Sequence, residues 1–145
     1  MELNHSWPLL LAADQRFDLG CLYDGDPSGH DIDEPTLAAR GIGLWECDLS
    51  NNALTWSAEV YDVFGLPRGA AISRAETVAL YLEHSRAAME RLRAYAIKHR
   101  RGFTLDVNIR PPAGQRRWVR LMAAPIFDGG RVVRLRGLKR VISDI

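Results

Sequence analysis

The chain has 145 residues, of which 47% are hydrophobic and 26% are charged, and this balance is typical of one folded domain with its own core. Its net charge of +1 conceals an asymmetry: residues 1–40 hold eight acidic residues and two arginines, whereas residues 41–145 hold 17 basic and 10 acidic residues. Opposite charges favour packing of the first part on the second, or on the second part of another copy.

Membrane insertion and secretion are not indicated. The longest apolar run, Trp7–Ala13, is far shorter than the roughly 20 residues that span a bilayer, and no basic region precedes it. Cys21 and Cys47 are too few for a disulfide framework or a metal site. We therefore expect a cytoplasmic protein without a membrane partner and without a bound metal.

The first predicted element is an amphipathic helix over Trp7–Leu19, with Ser6 as its N-cap and Gly20 at its end. Residues 24–35 are rich in proline and acid and predict a mobile linker. They resemble a calcium loop only superficially, because Pro35 stands where the twelfth position needs a bidentate glutamate. We divide the chain into an N-terminal helix and acidic linker, 1–35, and a main domain, 36–145.

A hairpin is predicted over GLWECDLSNNALTWS, residues 43–57. In its first strand Trp45, Cys47 and Leu49 point to one face, and the intervening residues are mostly polar. The asparagines of the turn accept left-handed backbone angles. Ahead of the hairpin, a helical turn is predicted for residues 36–40. After it, a helix is predicted to begin at Ser57 and to end at Gly65.

Residues 73–101 are predicted to be helical, with a capping box formed by Ser73 and Glu76. His99 falls on the apolar stripe of this helix, together with Met89, Leu92 and Ala96. Three strands follow, over residues 103–110, 116–127 and 131–141. The order predicts an α+β fold with a five-stranded antiparallel sheet and helices on one face.

The sequence of residues 41–141 resembles the PAS domain family, in particular its subfamily with a tryptophan-rich first hairpin. The segments that carry the resemblance are GIGLWECDL, LTWSAEVYDVFGL, FTLDVNIRPPAGQRRWVR and DGGRVVRLRGL. Within them the pattern W-S-x-x-x-Y-x-x-x-G consists of Trp56, Ser57, Tyr61 and Gly65. The resemblance implies a sensory or interaction module of the kind that controls bacterial signalling proteins.

In this fold the inner face of the sheet and the helices enclose either a closed core or a ligand pocket. The residues expected to line it are Trp45, Cys47, Phe64, Leu105, Val107, Leu121 and Leu135. Because this set is apolar, a closed core is favoured, and a small apolar ligand is the alternative.

No resident cofactor is expected in this pocket. Flavin photochemistry is not indicated, because neither cysteine lies on the helices between the hairpin and the long helix and the chain has no Asn-Cys-Arg tripeptide. Haem would need an axial ligand, and we interpret His84 and His99 as structural residues.

The outer face of the sheet is also apolar, so we expect it to be covered. The N-terminal helix has a complementary stripe, and related domains commonly dimerise through such a helix. The outer-face arginines Arg120, Arg134 and Arg136 suit its acidic charge, and Val132 is expected on the same face. The predicted interface between helix and sheet, in a homodimer, consists of Trp7, Leu10, Leu11, Phe17, Leu44, Trp118, Met122, Ile126 and Leu138.

The expected function is a non-enzymatic regulatory module. It would act by dimerisation and protein–protein contact on an attached or separate output protein, such as a histidine kinase or a cyclic-di-GMP synthase or phosphodiesterase. A small-molecule sensor is the alternative. No nucleotide loop or catalytic triad pattern is present. Arginines near residues 100 and 116 fit solvated surfaces, so no nucleic-acid partner is expected.

Overall fold

The computed structural model describes residues 20–23 and 34–144. The helix predicted for Trp7–Leu19 and most of the acidic linker lie outside these residues. The helices are α1 (Glu34–Ala39), α2 (Ala58–Phe64), α3 (Arg74–Val78) and α4 (Glu83–His99). The strands are β1 (Cys21–Tyr23), β2 (Gly43–Asp48), β3 (Ala53–Trp56), β4 (Gly102–Ile109), β5 (Arg117–Asp128) and β6 (Arg131–Asp144).

The strands form one antiparallel sheet in the order β1-β4-β5-β6-β2-β3. The five predicted strands are therefore confirmed as a single sheet with the helices predicted between them. Strand β1 was not predicted, because three residues are too few to display an alternating pattern. It pairs with the free edge of β4, where Leu22 lies opposite Phe103.

The β2–β3 hairpin has the geometry that its sequence predicts. Trp45 lies directly opposite Trp56, so both indoles are on the inner face of the sheet. Burial alternates along β2, with Trp45 and Cys47 buried and Glu46 half-buried. In the turn Asn52 adopts a φ of 60°, which asparagine tolerates better than most residues.

Helix α2 begins after Ser57 and ends at Gly65, as predicted. Ser57 has the extended backbone of an N-cap, but its hydroxyl accepts a hydrogen bond from the Leu44 amide instead of capping the helix. Gly65 adopts a φ of 69°, a left-handed conformation that glycine adopts without strain.

The prediction that residues 73–101 are helical is wrong for residues 79–82, which separate two helices. Ser73 caps helix α3, since its hydroxyl accepts a hydrogen bond from the Glu76 amide. The Glu76 carboxylate accepts from that hydroxyl, so the pair forms only half of the predicted capping box, and the helix ends at Val78. The next residues pair with the end of β4, where Tyr81 forms a bridge with Ile109. These backbone hydrogen bonds to the sheet replace those that a continuous helix would make, so α4 starts only at Glu83.

Two apolar clusters lie on opposite faces of the sheet. The larger lies between the inner face and helices α2 to α4. The smaller, which we call the outer cluster, comprises Leu37, Ile42, Met122, Ala124 and Leu138, with Leu44 packed against it.

Val132 was predicted to face outward but belongs to the inner cluster. The register explains this, because Val132 pairs with Phe127 whereas Arg134 pairs with Ile126. Val133 is therefore an extra residue in β6, and this bulge reverses the alternation of the strand at that point.

The outer face also carries a buried ion pair between Asp106 on β4 and Arg120 on β5. Nε and Nη2 of the guanidinium donate to the two carboxylate oxygens at 2.8 and 3.0 Å, and both side chains are inaccessible to solvent. Arg134, in contrast, pairs with Glu46 at the surface. A two-pronged pair of this kind fixes the register of the two strands that carry it.

None of the helices within the described ranges is long and apolar enough to cross a membrane.

Candidate ligand-binding cavity

A small cavity lies between the inner face of the sheet and helices α3 and α4. Its volume is about 50 Å³. The lining residues are Trp45, Cys47, Leu54, Arg74, Thr77, Val78, Tyr81, Met89, Arg93, Phe103, Leu121, Leu135 and Lys139.

Four of the seven predicted pocket residues line this cavity, namely Trp45, Cys47, Leu121 and Leu135. The other three, Phe64, Leu105 and Val107, are buried in the surrounding inner cluster.

Lys139 is the functional residue that the sequence analysis missed. Only 6% of its surface is exposed, and its side-chain amine makes no hydrogen bond or ion pair with a described residue. Its position on β6 continues the inward alternation of Leu135 and Gly137, so the strand period would have placed it inside. The prediction of an almost wholly apolar inward face therefore needs correction.

Four aromatic rings from separate segments surround the Lys139 amine. Nζ lies 4.7 Å from the ring centre of Phe64, 5.2 Å from that of Trp45, and 6.0 Å from those of Trp56 and Tyr81. These distances are within the range of cation–π attraction. The two tryptophans of the first hairpin thus cover a buried amine as well as filling the core.

Burial lowers the pKa of Lys139 to about 7, because the charged form loses its hydration. Arg74 lowers this pKa further, and Cys47 opposes the change. Lysine in water has a pKa near 10.4, so at neutral pH this side chain is divided between ammonium and amine. Burial also raises the pKa of Tyr81, which keeps its phenol protonated.

The other charged side chains that line the cavity are the arginines Arg74 and Arg93. Arg74 pairs closely with Glu90, and Arg93 donates to the side-chain oxygen of Asn52 at 3.2 Å. Of the described residues that line the cavity, none is aspartate or glutamate. The positive charge of Lys139 therefore has no carboxylate beside it within the lining.

The aromatic groups around Lys139 also pack on one another. Trp56 stacks on Phe64 with ring centres 5.1 Å apart, and Tyr61 meets Trp56 edge-on at 5.0 Å. The indole Nε1 of Trp56 is buried without a hydrogen-bond partner in the described part of the chain. A polar hydrogen in that position is normally satisfied by water or a ligand.

Trp45 connects the cavity wall to the outer cluster. Its indole Nε1 donates to the carbonyl oxygens of Met122 and Leu138 at 3.2 and 3.3 Å. Opposite Trp45, Gly137 allows close approach of the backbone, since a Cβ there would lie 1.7 Å from the Met122 oxygen. The backbone beneath the outer cluster is thus hydrogen-bonded to a residue of the cavity.

Neither histidine considered as a haem ligand lines the cavity. His84 and His99 are both exposed, and the ring of His99 lies against that of Tyr95. The prediction that His99 lies on the buried stripe of the long helix is wrong, because the helix ends there and its last residues project into solvent. Within residues 20–23 and 34–144, no three His, Cys, Asp or Glu side chains cluster as metal ligands would.

The predicted interface residues divide into two groups. Met122 and Leu138 are buried in the outer cluster, Leu44 packs against it, and Trp118 and Ile126 are half-buried on β5. Trp7, Leu10, Leu11 and Phe17 lie outside the described residues.

The sequence matches no protein-family model and no curated protein. The fold, in contrast, resembles that of the N-terminal domain of a diguanylate cyclase with PAS/PAC sensor from Marinobacter aquaeolei. The TM-score is 0.64 at 16% identity over 70% of this chain and 95% of that one. A sensory box histidine kinase/response regulator from Burkholderia thailandensis gives 0.64 at 17% identity, over 76% and 83% of the two chains.

An RNA-binding light-oxygen-voltage receptor gives a TM-score of 0.63 at 16% identity, and the match covers 70% of this chain but only 29% of that one. At such identities the likeness concerns the fold alone. The chain therefore has the PAS fold, and the resemblance noted in the sequence is confirmed at that level.

Proposed function

We propose that this chain is a sensory and regulatory module that controls a signalling output through dimerisation and protein–protein contact. Structural neighbours named as sensor domains of a diguanylate cyclase and a histidine kinase support the sensory role. Outputs of these two kinds, or a cyclic-di-GMP phosphodiesterase, are the ones that we expect, either attached to the module or separate from it.

The observation that carries the dimerisation proposal is the outer cluster. A sheet face exposed to water is normally polar, yet this face carries the buried cluster of Met122, Ala124 and Leu138. Beside it on β5, Trp118 and Ile126 remain half-buried. Such a face is suited to binding another apolar surface. The stripe predicted for the N-terminal helix, Trp7, Leu10, Leu11 and Phe17, is suited to extend this contact between two copies of the chain.

The test is the oligomeric state of the full chain and of a variant that lacks residues 1–19, which retains β1 and α1. We expect a dimer for the full chain and a monomer or aggregate for the truncated form in sizing with light scattering. Leu10→Asp should weaken the dimer, whereas Asp14→Asn in the same segment should not. A truncated protein with the oligomeric state and melting temperature of the full chain would contradict the proposal.

We also infer that the domain has no enzymatic activity of its own. Its sequence contains no pattern of catalytic residues, and its role would be to regulate another protein. The purified protein should neither hydrolyse nor transfer phosphate from nucleotides. A phosphate-transfer rate that a single substitution in the domain abolishes would refute this inference.

A second function, small-molecule sensing, is supported by the cavity itself. A buried amine would destabilise a closed apolar core, because burying a charge without a partner costs free energy. Lys139 is such an amine, and it borders open space. Pockets that bind small molecules typically combine apolar walls with a few polar groups that orient the ligand.

A further inference from the structure

We propose that the cavity beside Lys139 binds a short-chain carboxylate, whose charged group pairs with the lysine and whose aliphatic end contacts the apolar wall. This inference names the ligand class for the second function proposed above and rests on it. It does not depend on dimerisation or on the nature of the output.

The amine of Lys139 lacks a counter-ion among the described residues. The residue is 6% exposed, and its side chain makes no ion pair or hydrogen bond with any of them. The rings of Phe64 and Trp45 stabilise a cation, but they donate no negative charge. A carboxylate at the amine would supply that charge in a setting of low dielectric constant, where the attraction is strong.

The charges around Lys139 are mostly positive. The titratable or charged groups that face Lys139 or border its cavity are Cys47 on β2, Tyr81 before α4, Arg74 on α3 and Arg93 on α4, together with Glu90, which pairs with Arg74. The elements β3 and α2 contribute the rings of Trp56 and Phe64. Two arginines and a lysine against one paired carboxylate make the cavity attractive to an anion.

The cavity is too small for a large ligand. A water molecule needs roughly 10–15 Å³ of space open to its centre, so the cavity of about 50 Å³ holds only a few groups of that size. Acetate, propionate and butyrate are in this range. Flavins and long acyl chains are larger than the cavity. Octanoate is therefore included in the test, because its binding would indicate a lipid-derived chain as the ligand and not a free short acid.

Isothermal titration calorimetry on the full chain at pH 7.5 tests the proposal with acetate, propionate, butyrate and octanoate, in carboxylate-free Hepes and Tris buffers. We expect saturable binding of one or more of the three short acids and much weaker binding of octanoate. Because the bound anion favours the ammonium form, binding should take up protons, and the measured heat should therefore differ between the two buffers.

The matched controls separate charge recognition from apolar filling. Butyramide has the size of butyrate without its charge and should bind about tenfold more weakly or worse, which corresponds to about 1.4 kcal/mol. Lys139→Met should cause a similar loss of affinity. Lys98→Met should leave affinity unchanged, because Lys98 is an exposed lysine at the end of α4 and the other lysine of the chain.

Three results would overturn the proposal: absence of binding at about 10 mM of each short acid, equal binding of butyrate and butyramide, or preference for octanoate. The comparison of butyrate with butyramide remains decisive if Lys139→Met fails to fold. A dimer that persists while carboxylate binding is absent would leave the dimerisation proposal intact and refute only this one.

Discussion

At the scale of single residues, the buried amine of Lys139 should make stability depend on pH. Its pKa is about 7 in the folded protein and near 10.4 in an unfolded chain, so the unfolded state binds more protons between these values. Stability contributed by this residue therefore rises with pH across that window and is lowest below pH 7.

We expect Lys139→Met to be more stable than the native protein by about 2–4 kcal/mol at pH 6, and by much less at pH 9. Urea unfolding at both pH values measures the difference, in buffers without carboxylic acids. Lys98→Met corrects for the loss of a lysine as such. Equal effects of Lys139→Met at the two pH values would show that the amine is not buried as described.

The ion pair between Asp106 and Arg120 allows a second prediction at this scale. Asp106→Asn removes a charged partner with two hydrogen bonds from a buried guanidinium, so we expect a loss of about 3–5 kcal/mol in the free energy of unfolding. The control is Asp62→Asn, which removes the exposed pair with Arg68 and should have a small effect. Similar losses in both variants would mean that the buried pair is not desolvated.

Whether the sequence predicts the place of such a residue depends on how far apart in sequence the interacting residues are. Lys139 is predictable in principle, since strand alternation alone puts it on the inner face with Leu135. The pairing of Asp106 with Arg120 is not, because both alternate outward and only the register of β4 against β5 brings them together. The rings around Lys139 likewise come from residues 45 to 81, which are distant in sequence from Lys139 itself.

At the scale of secondary-structure elements, Gly137 determines how closely β5 and β6 approach. A Cβ at this position would meet the Met122 carbonyl oxygen at 1.7 Å, so the two strands would have to separate. We expect Gly137→Ala to cost at least about 2 kcal/mol in urea unfolding.

Gly114→Ala is the control for this substitution. It lies in the turn before β5, where an added Cβ would have an ordinary contact of 3.7 Å with Pro111. An unfolding midpoint of Gly137→Ala equal to that of Gly114→Ala would rule out the close approach of the strands.

Most helices and strands were predictable, because the residue patterns that define them lie within each element. Strand alternation and turn residues located β2 to β6, and Gly65 marked the end of α2. The non-helical state of residues 79–82 was not predicted, because its cause is the pairing of residues 80–82 with β4, which is distant in sequence. The bulge at Val133 was missed for a similar reason, since its extra residue is defined only by the partner strand.

At the scale of the whole molecule, the charge asymmetry makes a prediction about salt. If the acidic residues 1–40 pack on the basic remainder of the same or another copy, screening should weaken that contact. Raising NaCl from about 50 mM to about 500 mM should lower the melting temperature or shift dimers toward monomers. Sizing and thermal unfolding measure both effects.

The variant lacking residues 1–19 is the control for the salt prediction, because it loses three of the eight acidic residues. Its salt dependence should be smaller than that of the full chain. The same dependence in both proteins would mean that the N-terminal charges take no part in the contact.

The enclosure of Lys139 by Trp45 and Trp56 has an optical consequence. The emission wavelength of an indole shifts in the electric field of a nearby charge. Here Nζ of Lys139 lies 5.2 Å from the ring centre of Trp45 and 6.0 Å from that of Trp56. Emission from these two tryptophans should therefore shift as the amine gains or loses its proton near pH 7. The domain thus contains an intrinsic fluorescent probe of its own charge state, readable without any attached dye.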